Sequence, residues 1–280
     1  MRIETRAYAK INIGLRVLDR RSDGYHSVWT VLQMIDLYDI LEMEKLNQSR
    51  IEFDSEGIVV PQGEGNICFK AARLILNEAH ISGGLRIRLK KRIPVGSGLG
   101  GGSSDAASVL KGINEIFNLG LPVKHLEKLA GRLGSDVPFF IHGGTKLATG
   151  RGEILRDFKV EGDFRVLLVV PEEGISSHWA YSRIDLNLTY TEKNIKLSAS
   201  IFRPGTADNN IFINDFEPVI FRSYPHLGEI KERLLEYGAD YASMTGSGSA
   251  IFGLFSDYSK AERAEPLFNG RYRTYLTEFC

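Results

Sequence analysis

The sequence predicts an α+β protein of two domains, with mixed or antiparallel sheets and helices between the strands. The chain has 280 residues, and since a domain commonly holds roughly 150 residues, two domains are expected. Residues 11–18 and 85–90 alternate apolar and polar side chains, the period-two pattern of half-exposed strands. Helical patterns follow without strict strand–helix–strand alternation, which disfavours a doubly wound parallel sheet. We expect one domain over residues 1–155 and a second over residues 156–280.

The individual elements follow from periodicity and from short apolar runs. Apolar residues at helical spacing predict helices over residues 66–78, 103–117, 124–133, 226–237 and 257–268. Short apolar or alternating segments predict strands over residues 145–149, 165–170, 241–245, 250–255 and 273–277. The strand at 165–170 contains five consecutive apolar residues, which indicates burial on both faces. Residues 185–200 are expected to be a polar stretch.

Composition excludes several classes of protein. The 35 basic residues balance 35 acidic ones, which disfavours a nucleic-acid binder that acts through its global charge. Hydrophobic residues make up 43% of the chain, a value typical of a folded globular protein. No apolar run approaches the ~20 residues that cross a bilayer, and the start lacks a secretory signal. Two cysteines cannot form a disulfide framework, so we expect a cytoplasmic protein without a membrane partner; its oligomeric state stays open.

Glycine is concentrated in one part of the chain. Thirteen of the 29 glycines lie between Gly96 and Gly152, and the densest segment, residues 93–107, reads Ile-Pro-Val-Gly-Ser-Gly-Leu-Gly-Gly-Gly-Ser-Ser-Asp-Ala-Ala. This segment leaves a predicted strand and enters a helix that we expect to begin at Ser103. Glycine allows a ligand to approach the backbone, and a helix start adds unpaired N–H groups. The segment therefore predicts a phosphate-binding loop rather than a flexible linker.

Two common nucleotide motifs nearly match this segment and fail in context. Gly96, Gly98 and Gly101 have the spacing of the dinucleotide fingerprint. The preceding strand, however, carries Arg86 and Lys90, which a strand covered on both faces does not tolerate. The Walker pattern fails because no Lys-Ser or Lys-Thr pair follows the last glycine.

Three ordered segments resemble the motifs of the GHMP small-molecule kinases. The glycine-rich segment is similar to the phosphate-binding motif of that family, residues 9–13 (Ala-Lys-Ile-Asn-Ile) to its N-terminal motif, and residues 244–250 (Met-Thr-Gly-Ser-Gly-Ser-Ala) to its C-terminal motif. The resemblance implies a two-domain GHMP-kinase-like fold with the active site in the cleft between the domains. It also implies an ATP-dependent kinase of a small-molecule alcohol. Mg²⁺ would arrive with the nucleotide, with no metal held by dedicated protein ligands.

The resemblance assigns one group of residues to ATP. Phosphate binding falls to Pro94, Gly96, Gly98, Leu99, Gly100, Gly101, Gly102, Ser103 and Ser104, with one of the two serines near Mg²⁺ or the β-phosphate. Asn66 corresponds to a position near the adenine and ribose, but Asn is also a favoured helix N-cap, and both interpretations stay open. The family usually has Asn where this chain has Asp105. A carboxylate facing the phosphates would repel them, so we expect Asp105 to face away.

The resemblance assigns a second group to phosphoryl transfer. Asp136 would take the proton of the acceptor hydroxyl. Lys10 would keep Asp136 ionised and steady the transferring charge. Asn12, on the same face of a strand as Lys10, would orient the substrate hydroxyls. Without the resemblance, Asp136 is interpreted as a helix-end or turn residue and Lys10 as a solvated lysine on a strand.

Further segments resemble those family members that phosphorylate a cytidine-diphosphate-linked methylerythritol at its 2-hydroxyl. These are Arg-Ser-Asp-Gly-Tyr-His at 21–26 and Gly-Ser-Asp-Val-Pro-Phe-Phe at 134–140. An aromatic ring beside an imidazole can stack on a base and bond to its edge, so the resemblance assigns Tyr25 and His26 to the cytosine. Tyr181 is the candidate for a second stacking ring, with Trp179 as the alternative. Gly246 and Ser247 are expected beside the substrate.

Two other functions stay open at this point. A mevalonate or homoserine kinase of the same family acts on a substrate without a base, which Tyr25 and His26 disfavour. A catalytically inactive nucleotide-binding regulator is disfavoured by the presence of both Lys10 and Asp136.

Overall fold

A computed structural model of the chain describes residues 1–184, 201–203 and 211–280, and the predicted polar stretch 185–200 lies outside them. The chain divides into two compact units. Unit 1 comprises Met1–Ala9, Leu37–Val95 and Gly100–Gly143; unit 2 comprises Lys10–Asp36, Gly96–Leu99 and Gly144–Cys280. Two long paired strands, β1 (Arg2–Arg20) and β2 (His26–Leu46), contribute residues to both units. Only residues 11–18 of these strands were expected.

Unit 1 combines a mixed sheet with helices. Strand β3 (Ile51–Gly57) pairs in parallel with β4 (Gly84–Lys91), and β4 pairs antiparallel with the second half of β2. The helices are α1 (Ile67–Glu78), α2 (Gly101–Ile116), α3 (Val123–Leu133) and α4 (Val137–His142). Gly112 lets α2 approach the sheet, because a Cβ at this position would lie 2.1 Å from Cε of Met43. The mixed sheet of the predicted α+β fold is confirmed.

The strands of unit 2 form antiparallel sheets and one short parallel pair. Strand β5 (Thr145–Thr149) pairs with the first half of β2 and with β6 (Ile154–Asp157). The short pair is β7 (Lys159–Val160) with β9 (Ile201–Phe202). A four-stranded sheet in the order β10–β11–β8–β12 contains β8 (Arg165–Val170), β10 (Tyr241–Met244), β11 (Ile251–Phe255) and β12 (Arg273–Glu278). Strand β8 lies inside this sheet, as its uninterrupted apolar run predicts.

The described part of unit 2 contains five helices: α5 (Ser177–Arg183), α6 (Glu217–Ser223), α7 (Pro225–Glu236), α8 (Tyr258–Ala264) and α9 (Pro266–Asn269). Their apolar faces share one core with the four-stranded sheet, where Leu167 and Leu234 are fully buried. Each such side chain contributes about 1.5–3 kcal/mol. The single helix expected over 257–268 is wrong. Pro266 lacks the N–H that would continue the hydrogen bonds of α8, so α8 ends at Ala264 and α9 begins at Pro266.

Candidate active site

The N-terminal motif lies in β1, and its residues 10–13 belong to unit 2. Lys10 Nζ donates to Asn12 Oδ1 at 2.6 Å, so the prediction that the two side chains share a face is confirmed. The Asn12 amide donates to Thr30 Oγ1 at 2.9 Å, and its oxygen accepts the Thr245 hydroxyl at 3.2 Å. Lys10 and Asn12 are each 3% exposed. Because a buried ammonium needs such acceptors, Asn12 fixes the position of the Lys10 charge; its contact with substrate hydroxyls stays a prediction.

Residues 96–99 of the glycine-rich segment also belong to unit 2, and they join the three motifs. The Lys10 backbone N–H donates to the Leu99 carbonyl at 3.0 Å. Gly98 has a φ of 81°, and a Cβ on it would lie 2.1 Å from the Thr245 carbonyl oxygen. Only glycine fits this conformation and this contact.

The C-terminal motif forms the turn between β10 and β11. Gly246 and Gly248 have φ values of 58° and 88°, and the Gly248 N–H donates to the Thr245 carbonyl at 3.0 Å. Asn214 holds this turn from a separate part of the chain. Its Nδ2 donates to the carbonyls of Met244 and Gly246 at 2.7 and 2.8 Å. The three motifs are therefore brought together by backbone and amide hydrogen bonds.

The rest of the glycine-rich segment, which is residues 93–95 with Pro94 and the residues from Gly100 onward, belongs to unit 1. The helix start expected at Ser103 is wrong. Helix α2 begins two residues earlier, at Gly101, because Gly100 serves as N-cap with a φ of 73°. The first N–H groups of α2 have no partners within the helix. Ser104 is buried whereas Ser103 is half-buried, so Ser103 is the serine that a ligand can reach.

Two other predicted residues of unit 1 lie at helix starts. Asn66 caps α1: its Oδ1 accepts the Cys68 N–H at 2.8 Å, and its Nδ2 donates to the Pro61 carbonyl at 2.8 Å. The N-cap interpretation is thus confirmed, and a role near adenine stays a prediction. Asp136 directly precedes α4 and is half-buried. Its pairing with Lys10, a residue of unit 2, stays a prediction.

His26 and Tyr181 stack on each other within unit 2. Their ring centroids are 5.2 Å apart and their planes differ by 9°. Phe216 supports the Tyr181 ring edge-on at 4.9 Å. Trp179 packs instead against Tyr224, at 6.2 Å. Of the two candidates for the second stacking ring, the structure pairs Tyr181 with His26.

The residues next to this stack have other partners. Tyr25 is 56% exposed, and the Arg151 guanidinium lies 4.7 Å from its ring centroid, a cation–π distance. Ser247 Oγ lies 2.9 Å from Oγ of Ser177, the first residue of α5. The predicted contacts of Tyr25, Gly246 and Ser247 with substrate stay predictions.

The electrostatics of His26 suit recognition of a base. Burial lowers the pKa of His26, and the positive charge of Arg20 lowers it further. The imidazole is therefore neutral at neutral pH, with one nitrogen that donates and one that accepts. Its Nε2 is buried and has no hydrogen-bond partner among residues 1–184, 201–203 and 211–280. A neutral ring with an unused nitrogen can bond to the edge of a nucleobase.

Sequence reasoning missed the residues that hold the site together. Thr245 was expected at the end of a strand and within the C-terminal motif but had no role of its own, and no pattern marked Asn214 or Thr30. Asp105 was expected to face away from bound phosphate. It points into the interior of unit 1, where Lys91 Nζ donates to it at 2.6 Å.

Metal ligands and membrane spans were searched in the described part of the chain. There, no group of three or more His, Cys, Asp or Glu residues is arranged to hold a metal ion. Nor does any helix of that part have the length and apolar character needed to cross a membrane.

The sequence is similar to those of known proteins. Residues 66–144 match the GHMP kinases N terminal domain, and residues 198–266 match GHMP kinases C terminal. A 4-diphosphocytidyl-2-C-methyl-D-erythritol kinase of Chlorobium phaeobacteroides is 40% identical over 279 residues, which are 99% of this chain and 97% of the relative. A kinase of the same name from Thermodesulfovibrio yellowstonii is 38% identical over 271 residues, 95% of this chain and 94% of the relative.

A solved structure agrees with these relatives. The crystal structure of a 4-(cytidine 5'-diphospho)-2C-methyl-D-erythritol kinase has a TM-score of 0.83 to this chain, with 32% identity and 99% of each chain covered. Fold, motifs and relatives thus agree with the family that the sequence resembles. The chain belongs to the GHMP kinase family of ATP-dependent small-molecule kinases.

Proposed function

We propose that this chain transfers the γ-phosphoryl group of ATP to the 2-hydroxyl of 4-diphosphocytidyl-2-C-methyl-D-erythritol, in isoprenoid precursor biosynthesis by the methylerythritol phosphate pathway. The observation that carries the proposal is the His26–Tyr181 stack. The stack lies in unit 2, where residues of the three kinase motifs contact one another. Nucleobases stack on aromatic side chains such as these. The relatives at 38–40% identity carry the name of this activity.

The cytosine is proposed to bind between His26 and Tyr181. A base between two rings needs a centroid separation of about 7 Å, because each face-to-face contact takes roughly 3.5 Å. The rings are 5.2 Å apart, so binding would move them apart by roughly 2 Å.

Phosphoryl transfer needs charge stabilisation and a base. The first backbone N–H groups of α2 bind phosphate oxygens, and Lys10, fixed by Asn12, offsets the transferring negative charge. Asp136 accepts the proton of the 2-hydroxyl while the oxygen of that hydroxyl bonds to the γ-phosphorus. The bond between that phosphorus and the leaving oxygen of ADP breaks.

Mg²⁺ is proposed to accompany the nucleotide. Ser103 offers a reachable hydroxyl at the start of α2, which fits a metal bound mainly by phosphate oxygens and water. When bound, Mg²⁺ supplies neutralisation of phosphate charge.

Two further expectations belong to the proposal. The family matches at 66–144 and 198–266 lie on either side of the predicted boundary between residues 155 and 156, which supports that division of the sequence. Units 1 and 2 alternate along the chain, so the boundary divides sequence domains rather than these units. Cys68 and Cys280 are free thiols, which supports a cytoplasmic location.

A coupled assay of ADP release tests the function. The cytidylyl alcohol, mevalonate and homoserine are offered separately with ATP, and turnover is expected only with the first. Turnover with mevalonate or homoserine but not the cytidylyl alcohol would replace the proposed substrate. ATP binding without turnover of any of the three would instead indicate an inactive nucleotide-binding protein.

A further inference from the structure

Three ionisable side chains that the proposed reaction does not use are buried together in unit 1. Lys91 Nζ donates to Asp39 Oδ2 at 2.5 Å and to Asp105 Oδ2 at 2.6 Å. These side chains are at most 3% exposed. Burying ions costs several kcal/mol each, and a well-packed apolar core is often at least as stable. Stability alone therefore does not account for this ionic network.

The network connects the strand before the glycine-rich segment to the helix that begins within that segment. Lys91 is the last residue of β4. Asp39 Oδ1 accepts the backbone N–H groups of Arg92 and Ile93, the first residues after the strand, at 2.5 and 2.9 Å. Asp105 lies near the start of α2. Lys91 thus joins the end of β4 to the start of α2.

Packing at the helix start is tight. A Cβ on Gly101, the first residue of α2, would lie 2.8 Å from Lys91 Nζ and 2.8 Å from Ile93 Cγ2. Space rather than backbone conformation requires glycine here, since Gly101 is helical. The Lys91 ammonium is therefore packed directly against the first turn of the helix.

We propose that Asp39, Lys91 and Asp105 are positioning residues for ATP, which hold the first turn of α2 against the end of β4 so that its unpaired N–H groups are arranged for the phosphates. The proposal rests on the proposed function, because it takes this helix start as the phosphate site. The positioning role has a consequence that depends on the carboxyl group at position 105. The affinity for the nucleotide is expected to fall when Asp105 ionises.

The charges of the network give the direction of this effect. Burial raises the pKa of Asp105 to about 8, against the Lys91 ammonium and with the help of Asp39. Burial lowers the pKa of Lys91, but the two carboxylates raise it above its ordinary value, so the ammonium persists. Cys68 of α1 also faces the network, and burial raises its pKa well above the ordinary value, so it stays neutral. Above about pH 8 one more negative charge lies near the helix start, where it repels phosphate.

Variants of Lys91 separate positioning from a merely structural role. In Lys91→Met, the Kd and KM of ATP are expected to rise about tenfold or more, whereas the KM of the alcohol changes less than about threefold. The Lys91→Met/Asp105→Asn double variant should recover part of the ATP affinity, because it removes one of the two buried carboxyl groups that have lost their ammonium partner. Lys90→Met is the matched control. Its side chain is on the other face of β4 and 45% exposed, so both constants should be unchanged.

Asp105→Asn supplies a second test that holds even if Lys91→Met does not fold. The Kd of ATP for the natural chain divided by that for the variant is expected to rise at least about threefold between about pH 7 and about pH 9. A constant ratio overturns the pH dependence. Unchanged ATP affinity in a folded Lys91→Met variant, or equal losses for ATP and alcohol, overturns the positioning role.

The two proposals fail in different ways, because the Kd of ATP is measured without the alcohol. If the variants behave as expected and the cytidylyl alcohol is not phosphorylated, the positioning role holds and the proposed substrate is wrong. If the alcohol is phosphorylated and the variants bind ATP as the natural chain does, the positioning role is wrong and the proposed function holds.

Discussion

Replacing Asp105 by Asn is expected to remove a pH dependence of the folding stability. Asp105 is 2% exposed, and its Oδ1 has no hydrogen-bond partner in the described part of the chain. Burial raises its pKa from 3.8 to about 8. Between these two values the unfolded chain has released the proton that the folded chain still holds. The free energy of unfolding therefore falls as the pH rises through this window. Above the window, Asp105 no longer makes the free energy of unfolding depend on pH.

The size of the effect follows from the same values. Where the folded chain holds one more proton than the unfolded chain, each pH unit changes the free energy of unfolding by about 1.4 kcal/mol. Nearly two such units lie between about pH 6 and about pH 8.5, since Asp105 titrates near 8 in the folded chain. Asp105 thus lowers the stability by about 2–3 kcal/mol over this interval. An Asn side chain has no such proton to release.

Urea unfolding of the natural chain and of Asp105→Asn at the two pH values measures this difference. The stability of the variant relative to the natural chain is expected to increase by about 2–3 kcal/mol from the lower to the higher pH. Asp54→Asn, which removes an exposed carboxylate from β3 of the same unit, should show no such increase. A difference that stays constant for Asp105→Asn would refute the reasoning, because the carboxyl group would then titrate alike in the folded and unfolded chains.

Three further predictions concern single side chains. Asp136→Asn should keep ATP binding and lower kcat by about 10²–10⁴-fold; an unchanged kcat in the coupled assay removes the base assignment. His26→Ala should raise the KM of the cytidylyl alcohol about tenfold or more, because a stacking ring contributes about 1–3 kcal/mol per base; an effect confined to the KM of ATP contradicts the cytosine role. Asn214→Ala removes a donor from each of the buried Met244 and Gly246 carbonyls, and should lower the free energy of unfolding in urea by about 2–4 kcal/mol; a loss near zero would show that the turn does not depend on Asn214.

Much of the fold could be predicted because alternation and helical spacing follow burial directly. The strand expected over 85–90 differs from β4 by one residue at each end, and the strand expected over 165–170 is β8 itself. Strands β1 and β2 were largely missed. They are 19 and 21 residues long and contain long runs buried on both faces, so period-two alternation, the signal of a half-exposed strand, disappears within them.

The site was harder to predict because its contacts join distant parts of the chain. Helix α2 begins at Gly101 rather than at Ser103, since a left-handed glycine replaces the polar cap that serine would supply. The stacking of His26 with Tyr181 joins β2 to α5. Local spacing contains no signal for such a contact; the family resemblance alone made Tyr181 a candidate.

Lys91 shows that strand alternation can also mark a charged residue of a site. Alternate residues from 85 to 89 are buried along β4, and residue 91 continues that face. A lysine on a buried face needs carboxylates, because an unpaired buried ammonium is strongly destabilising. The strand predicted from alternation ends at residue 90, one short of this lysine, and Asp105 is the first acidic residue after Lys91 in the chain. Asp39 comes from β2, the antiparallel neighbour of β4, and only the pairing of these strands reveals it.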